Sequence, residues 1–278
     1  MKTWILAAAA TLTLASCATA ARLEAGARYV NMGSSFAAGS GTGPTAEGSL
    51  ARCYQSSLNY AHLLAARLNL ALTDVSCGGA TSAHMIGPWR ELPAQIDAVT
   101  PGTRLVTITV GGNDVAYAGN LTAASCDQGE IIHVAGMAVP CPPPFPVTEA
   151  AWTTLDQNLH ELGRQISARA PHARIVFIQY VTLVPNAQCP QTRLTDEEAA
   201  QLRAVADRLA EITARAAADT GASLLRTNEI SRGHTPCDSE PWSVGFPSDY
   251  SEAMGAPWHP NRRGMEAIAA GLERLLGR

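Results

Sequence analysis

Five short apolar runs alternate along this chain with longer segments of helical periodicity, and that alternation limits the possible folds most sharply. The runs are Arg28–Met32, Leu70–Val75, Leu105–Val110, Arg174–Tyr180 and Ala222–Arg226. The third and fourth, LVTITV and RIVFIQY, are β-branched or apolar almost throughout, as expected of strands buried on both faces. Helices are expected over Leu58–Leu70, where Leu63, Leu64 and Leu68 fall near helical spacing, and over a shorter Leu92–Val99 with Pro93 in its first turn. Thr148–Arg169 places Leu155, Leu159, Leu162 and Ile166 on one side, with Thr148 as N-cap. Thr195–Asp219 opens on a capping-box pattern, and Asn261–Leu276 aligns Met265, Ile268, Leu272 and Leu275. Strands alternating with helices predict an α/β fold, a parallel sheet covered on both faces. Ala116–Val147 shows no period and reads as a long excursion.

With 278 residues, the chain is long enough for one or two domains. Its 46% hydrophobic and 16% charged content excludes a disordered chain. A net charge of −4 without any basic stripe argues against a nucleic-acid partner. Residues 1–21 read as an export signal: Lys2, an apolar stretch Trp4–Leu14, then two overlapping cleavage patterns. Ala18-Thr19-Ala20 suits ordinary signal peptidase. Leu14-Ala15-Ser16-Cys17 resembles the bacterial lipobox, which makes Cys17 a lipidation site and the protein an anchored one; loss of Cys17 with the leader leaves a secreted one. A single domain is expected over 22–278. Six further cysteines in an exported chain suggest three disulfides, for which fifteen connectivities exist. Pairing in sequence order closes the shortest loops: Cys53–Cys77, Cys126–Cys141 and Cys189–Cys237. No CxxC or paired-His spacing points to a metal.

Ligands of such sheets bind at the carboxyl ends of strands. The first strand runs into Gly33-Ser34-Ser35, the second into Cys77-Gly78-Gly79, the third into Gly112-Asn113-Asp114. A serine at a strand end can act as a nucleophile, glycine lets a backbone N–H approach a ligand, and an asparagine amide is a neutral donor for a developing oxyanion. Near the C-terminus, His259-Pro260-Asn261 offers a general base just before a helix. The G-x-S-x-G nucleophile elbow is missing, which disfavours the α/β-hydrolase layout.

Taken in this order, Gly33-Ser34-Ser35, Gly79, Gly112-Asn113-Asp114 and His259-Pro260-Asn261 resemble the four blocks of the SGNH (GDSL-type) hydrolases. The six cysteines, Ser76–Thr81 and Cys237–Trp242 are most similar to the three-disulfide secreted lipases and phospholipases of actinomycetes. The resemblance implies a flavodoxin-like three-layer sheet of five parallel strands and ester hydrolysis without metal or cofactor. It casts Ser35 as nucleophile, His259 as general base, and the N–H groups of Ser35 and Gly79 with the side chain of Asn113 as oxyanion hole. Two positions depart from the pattern. Ser34 stands where the family has Asp, which leaves Ser34 as an alternative nucleophile. Ala256 stands where the family has the acid that orients the histidine. A backbone carbonyl does this in some lipases of the subgroup, so the Ala256 carbonyl is expected to do so here, with Glu252 or Asp249 as alternatives. The implied protein is an exported serine carboxylester hydrolase acting on acyl esters or lipids. Its rivals are a carbohydrate O-deacetylase and a non-catalytic surface lipoprotein that binds glycans or lipids. Trp89 and Trp258 are candidates for the acyl-pocket wall. Beyond a small-molecule or lipid ester no partner is expected, and the chain is read as a monomer.

Overall fold

The computed structural model describes residues 22–277, apart from Ala135 and the side chain of Val134. The expected leader and Cys17 lie outside the described residues. The strands are β1 (Arg28–Gly33), β2 (Ala71–Asp74), β3 (Thr103–Thr109), β4 (Ile131–Val134), β5 (Met137–Pro140), β6 (Arg174–Ile178) and β7 (Ser223–Leu225). The helices are α1 (Ser35–Ala38), α2 (Tyr60–Leu68), α3 (Ala83–Ile86), α4 (Tyr117–Ala124), α5 (Glu149–Arg169), α6 (Asp196–Asp219), α7 (Thr227–Ile230) and α8 (Arg262–Leu275).

Five strands form one sheet in the order β2-β1-β3-β6-β7, and every pairing in it is parallel. β1 and β3 are central and buried along nearly their whole length, while the edge strand β2 alternates between exposed and half-buried. This is the flavodoxin-like order, and its switch point lies between β1 and β3, where two crossovers leave in opposite directions. α2 packs against α8, and α5 against α6. The apolar stripes read from the sequence are the buried ones: Leu155, Leu159, Leu162 and Ile166 of α5, and Met265, Ile268 and Leu272 of α8. The caps hold as well. Thr148 accepts from the Ala151 N–H, Thr195 and Glu198 form the reciprocal capping box, and Asn261 accepts from the Gly264 N–H.

A polar rung crosses the sheet beneath its carboxyl edge. The register sets Asn31 of β1 beside Asp74 of β2 and Thr107 of β3. Its amide donates to the Asp74 carboxylate at 2.9 Å, and its oxygen accepts from Thr107 Oγ1 at 2.9 Å. Asp74 also receives the Asn59 amide at 2.7 Å, and Asn59 caps α2. A buried carboxylate is tolerated only when it is so surrounded.

Two expectations need correction. Leu92–Val99 is not an α-helix; only a 3-10 turn forms, Gln95–Ala98. A segment this short has no helical stability of its own, and Gln95 spends its amide elsewhere. Its oxygen accepts from the Gly33 N–H at 2.7 Å and its nitrogen donates to the Gly33 carbonyl at 3.0 Å. The excursion Ala116–Val147 is more ordered than its pattern suggests, holding α4 and the antiparallel hairpin β4-β5. All three disulfides join the cysteines in sequence order: Cys53–Cys77, Cys126–Cys141 and Cys189–Cys237.

Candidate active site

β1 ends in Gly33 at φ +140°, and a Cβ there would stand 2.2 Å from the Thr109 carbonyl oxygen. Only glycine lets β1 turn so close to β3. The turn starts α1 with two serines facing different ways. Ser34 is buried, and its Oγ lies 3.4 Å from the Tyr180 hydroxyl. Ser35 is half-buried, and its Oγ lies 2.7 Å from Nε2 of His259. Of the two, Ser35 is the one that faces His259.

His259 reaches this position from the loop before α8. Its Nδ1 lies 2.7 Å from the Pro257 carbonyl oxygen. A carbonyl can only accept, so Nδ1 carries the proton and Nε2 presents its lone pair to the serine. The expectation that the Ala256 carbonyl does this is corrected: that oxygen accepts the backbone N–H of His259 at 3.3 Å. The intervening Trp258 adopts φ +57°, which folds the Pro257 carbonyl back onto the imidazole. Neither alternative acid orients the ring: Asp249 is exposed, and Glu252 accepts the Gly136 N–H at 2.5 Å. Burial holds the His259 imidazole below the ordinary histidine range, partly opposed by the hydrogen bond to Pro257.

Ser35 and Gly79 wall the same cavity. Among the described residues, neither the Ser35 nor the Gly79 N–H has a hydrogen-bond acceptor. The Gly79 turn is fastened by the Cys53–Cys77 disulfide and by the Gly78 N–H, which donates to the Cys53 carbonyl at 2.9 Å. Asn113 stands behind it and donates one amide hydrogen to the Ala80 carbonyl at 2.9 Å. The second hydrogen has no acceptor among the described residues, and Asn113 is not among the residues that wall the cavity. Asp114 braces the same corner. Its carboxylate accepts from the Ser82 N–H at 2.9 Å and from the Ser82 hydroxyl, and burial raises its carboxyl above the usual range against those bonds.

Ser35, Gly79 and His259 open into one cavity of about 640 Å³. Its walls are mostly small or apolar: Ala118, Gly119 and Thr122 of α4, Tyr250 and Gly255–Pro257 of the loop before α8, and Gly136 of the β4-β5 turn beside Glu252. Neither tryptophan lines it. Trp258 is fully buried in the core, and Trp89 lies behind Gly79 in a neighbouring cavity.

Residues 32–267 match the GDSL-like lipase/acylhydrolase family. The chain belongs to this family. It is a carboxylic ester hydrolase. Its sequence is 32% identical over 262 residues to Lipase 2 of Streptomyces coelicolor, covering 90% of this chain and 85% of that one. It is 30% identical over 263 residues to a lipase of Streptomyces rimosus, with coverage of 94% and 90%. The fold resembles the crystal structure of phospholipase A1 from Streptomyces albidoflavus, with a TM-score of 0.71 at 24% identity over 90% of this chain and 99% of that one. The extracellular lipase of Streptomyces rimosus gives 0.68 at 25% identity over 89% and 98%.

Sequence reasoning missed Gln95, Pro257 and Tyr180. The first grips the strand end that carries Ser35, the second orients the base, and the third touches both the Ser34 and the Gly112 turns. Gln95 and Tyr180 act across more than sixty residues of sequence, and Pro257 acts through a carbonyl that every residue has, so no local pattern marks them.

Proposed function

We propose that the chain is an exported esterase that cleaves acyl esters of lipid type through Ser35 and His259, with no carboxylate in the relay. The observation that carries this reading is the 2.7 Å contact between Ser35 Oγ and His259 Nε2, with Nδ1 held by the Pro257 carbonyl. His259 takes the hydroxyl proton as Oγ attacks the ester carbonyl. The N–H groups of Ser35 and Gly79 and the free amide hydrogen of Asn113 receive the oxyanion of the tetrahedral intermediate. On collapse His259 protonates the departing alcohol, and water releases the acyl group by the same path. Pro257 fixes the tautomer but cannot neutralise the imidazolium as a carboxylate does, so burial of the ring and the oxyanion donors carry more of the stabilisation.

The apolar cavity favours an acyl chain over an acetyl group, and hence a lipid ester over an acetylated glycan. Export agrees with the three disulfides, with the leader pattern over 1–21 ahead of a hydrolase domain at 22–278, and with the relative named an extracellular lipase. Lipidation at Cys17 is the narrower form of that reading, and the mass of the mature N-terminal peptide tests it.

Hydrolysis of p-nitrophenyl esters from C2 to C16 by residues 18–278, beside Ser35→Ala, tests the function. Activity that rises toward medium or long chains and vanishes in the variant is expected. A sharp preference for C2 overturns the lipid reading in favour of a deacetylase. No turnover by a protein that melts cooperatively overturns the enzymatic reading of the site.

A further inference from the structure

We infer that Tyr180 is a positioning residue for this reaction, the joint that fixes Asn113 relative to Ser35 and His259. The inference rests on the reading of the site given above. Among the described residues Tyr180 makes no hydrogen bond to the proposed reacting groups. It touches the residue beside each of the serine and the asparagine.

The Gly112 N–H donates to the Tyr180 hydroxyl at 2.8 Å, one residue before Asn113. The Ser34 hydroxyl stands 3.4 Å from the same oxygen, one residue before Ser35. The phenol ring packs on Phe36, one residue after Ser35, at 4.4 Å between centroids, and Phe36 packs in turn on the His259 imidazole at 4.7 Å. Glycine at 112 makes the first contact possible, because a Cβ there would lie 2.8 Å from the hydroxyl and 2.9 Å from Cε1. The next peptide is held too, since the Tyr117 N–H donates to the Gly112 carbonyl at 2.7 Å. With serine at position 34 this turn carries no carboxylate, and its link to Gly112 runs through the phenol.

Burial pushes the Tyr180 phenol up to about 12, so the oxygen stays protonated at the pH of any ester assay. It can accept from Gly112 and still offer its hydrogen to Ser34. Without the hydroxyl, the buried Gly112 N–H has no acceptor, and the Gly111–Gly112 peptide that carries it turns toward another, shifting the residue that follows. The amide of Asn113 then leaves the point where the oxyanion forms. Placement errors of this kind act on kcat rather than on binding.

Tyr180→Phe keeps the ring on Phe36 and removes only the hydroxyl. With a soluble p-nitrophenyl ester, kcat is expected to fall about tenfold to a hundredfold, with KM within about twofold of the parent. The double variant Tyr180→Phe/Asn113→Ala is expected within about twofold of Asn113→Ala alone, because Tyr180 acts through that amide. A purely structural role predicts that the two losses multiply. A Tyr180→Phe with parental kcat, or a double variant that shows the full product of losses, overturns the inference.

A milder probe guards against misfolding of the phenylalanine variant. Incorporating 3,5-difluorotyrosine at position 180, assayed at neutral pH so that the buried phenol keeps its proton, weakens the oxygen as an acceptor while keeping it, and is expected to lower kcat about twofold to fivefold. An unchanged kcat there also overturns the inference. Ser35→Ala runs alongside. If it retains activity, the reading of the site fails; if it is inactive while Tyr180→Phe is normal, only the role of Tyr180 fails.

Discussion

The two halves of the proposed relay are placed by different means. Ser35 follows a central strand whose register is fixed on both sides, and the turn is locked by the Gln95 amide and by the Ser34 N–H donating to the Thr109 carbonyl. His259 ends a long loop that runs from Ser231 with no strand of its own. Reciprocal backbone bonds hold it instead: Val244 N–H to the His259 carbonyl and Trp258 N–H to the Val244 carbonyl, both at 2.9 Å. The Asn261 N–H reaches the Trp242 carbonyl, and the Cys189–Cys237 disulfide ties the loop's start to the segment after β6. The nucleophile thus comes with the sheet, whereas the base needs a local framework that could loosen while the sheet stays intact.

The largest effect should not distinguish the two halves. Ser35→Ala and His259→Ala are each expected to lower kcat about 10⁴-fold or more, and the double variant to lose little beyond either, since the residues act as a unit. Single-turnover assays check this; losses that multiply would mean the two side chains work separately. Asn113→Ala comes next, with about 10²–10³ lost from kcat. A loss under tenfold would make its bond to the Ala80 carbonyl its whole purpose.

The nucleophile side was also the more legible in the sequence. LVTITV and RIVFIQY announced the central strands, because a strand buried on both faces has no polar positions to hide among. Gly33, Gly79 and Gly112-Asn113 stood at strand ends, where a parallel sheet binds its ligand, so residue type and position pointed the same way. The base side gave only His259 and its place before α8. What orients His259 depends on a single backbone angle at Trp258, and no residue type encodes that angle reliably. The hairpin β4-β5 was missed for a different reason. Its strands are four residues long and held by a disulfide and by Arg193 pairing with Glu130, so it needs no apolar alternation to form.

Releasing one disulfide sharpens the comparison further. Cys189–Cys237 closes 48 residues, and freeing such a loop costs about 4 kcal/mol in the chain-entropy account. In Cys189→Ser/Cys237→Ser the cost should fall on the base side. Esterase activity is expected to disappear several degrees below the loss of helical circular dichroism. Cys126→Ser/Cys141→Ser frees the hairpin, which meets the base loop through the Gly136–Glu252 bond, and should separate the two transitions by less. Coincident transitions in the first variant would show that the loop and the sheet unfold as one.

The smallest effect is a displacement along the pH axis. General-base catalysis needs neutral His259. Burial favours the neutral ring, and the hydrogen bond to the Pro257 carbonyl opposes this only in part, so the proton leaves at a lower pH than from an exposed histidine. The acid limb of kcat/KM, which reports the free enzyme, should therefore fall below the ordinary value of about 6.5. A carboxylate partner at Nδ1 would act in the opposite direction, stabilising the imidazolium and moving the limb up. Ala256→Asp puts an acid at the position where the family carries one, and if its carboxylate displaces the Pro257 carbonyl, the limb should rise toward or above that value. A limb that lies above about 7 in the parent would mean that an acid faces His259 in solution. A limb that stays low in Ala256→Asp would mean that the fold around Trp258, rather than the choice of residue at 256, commits this enzyme to a carbonyl.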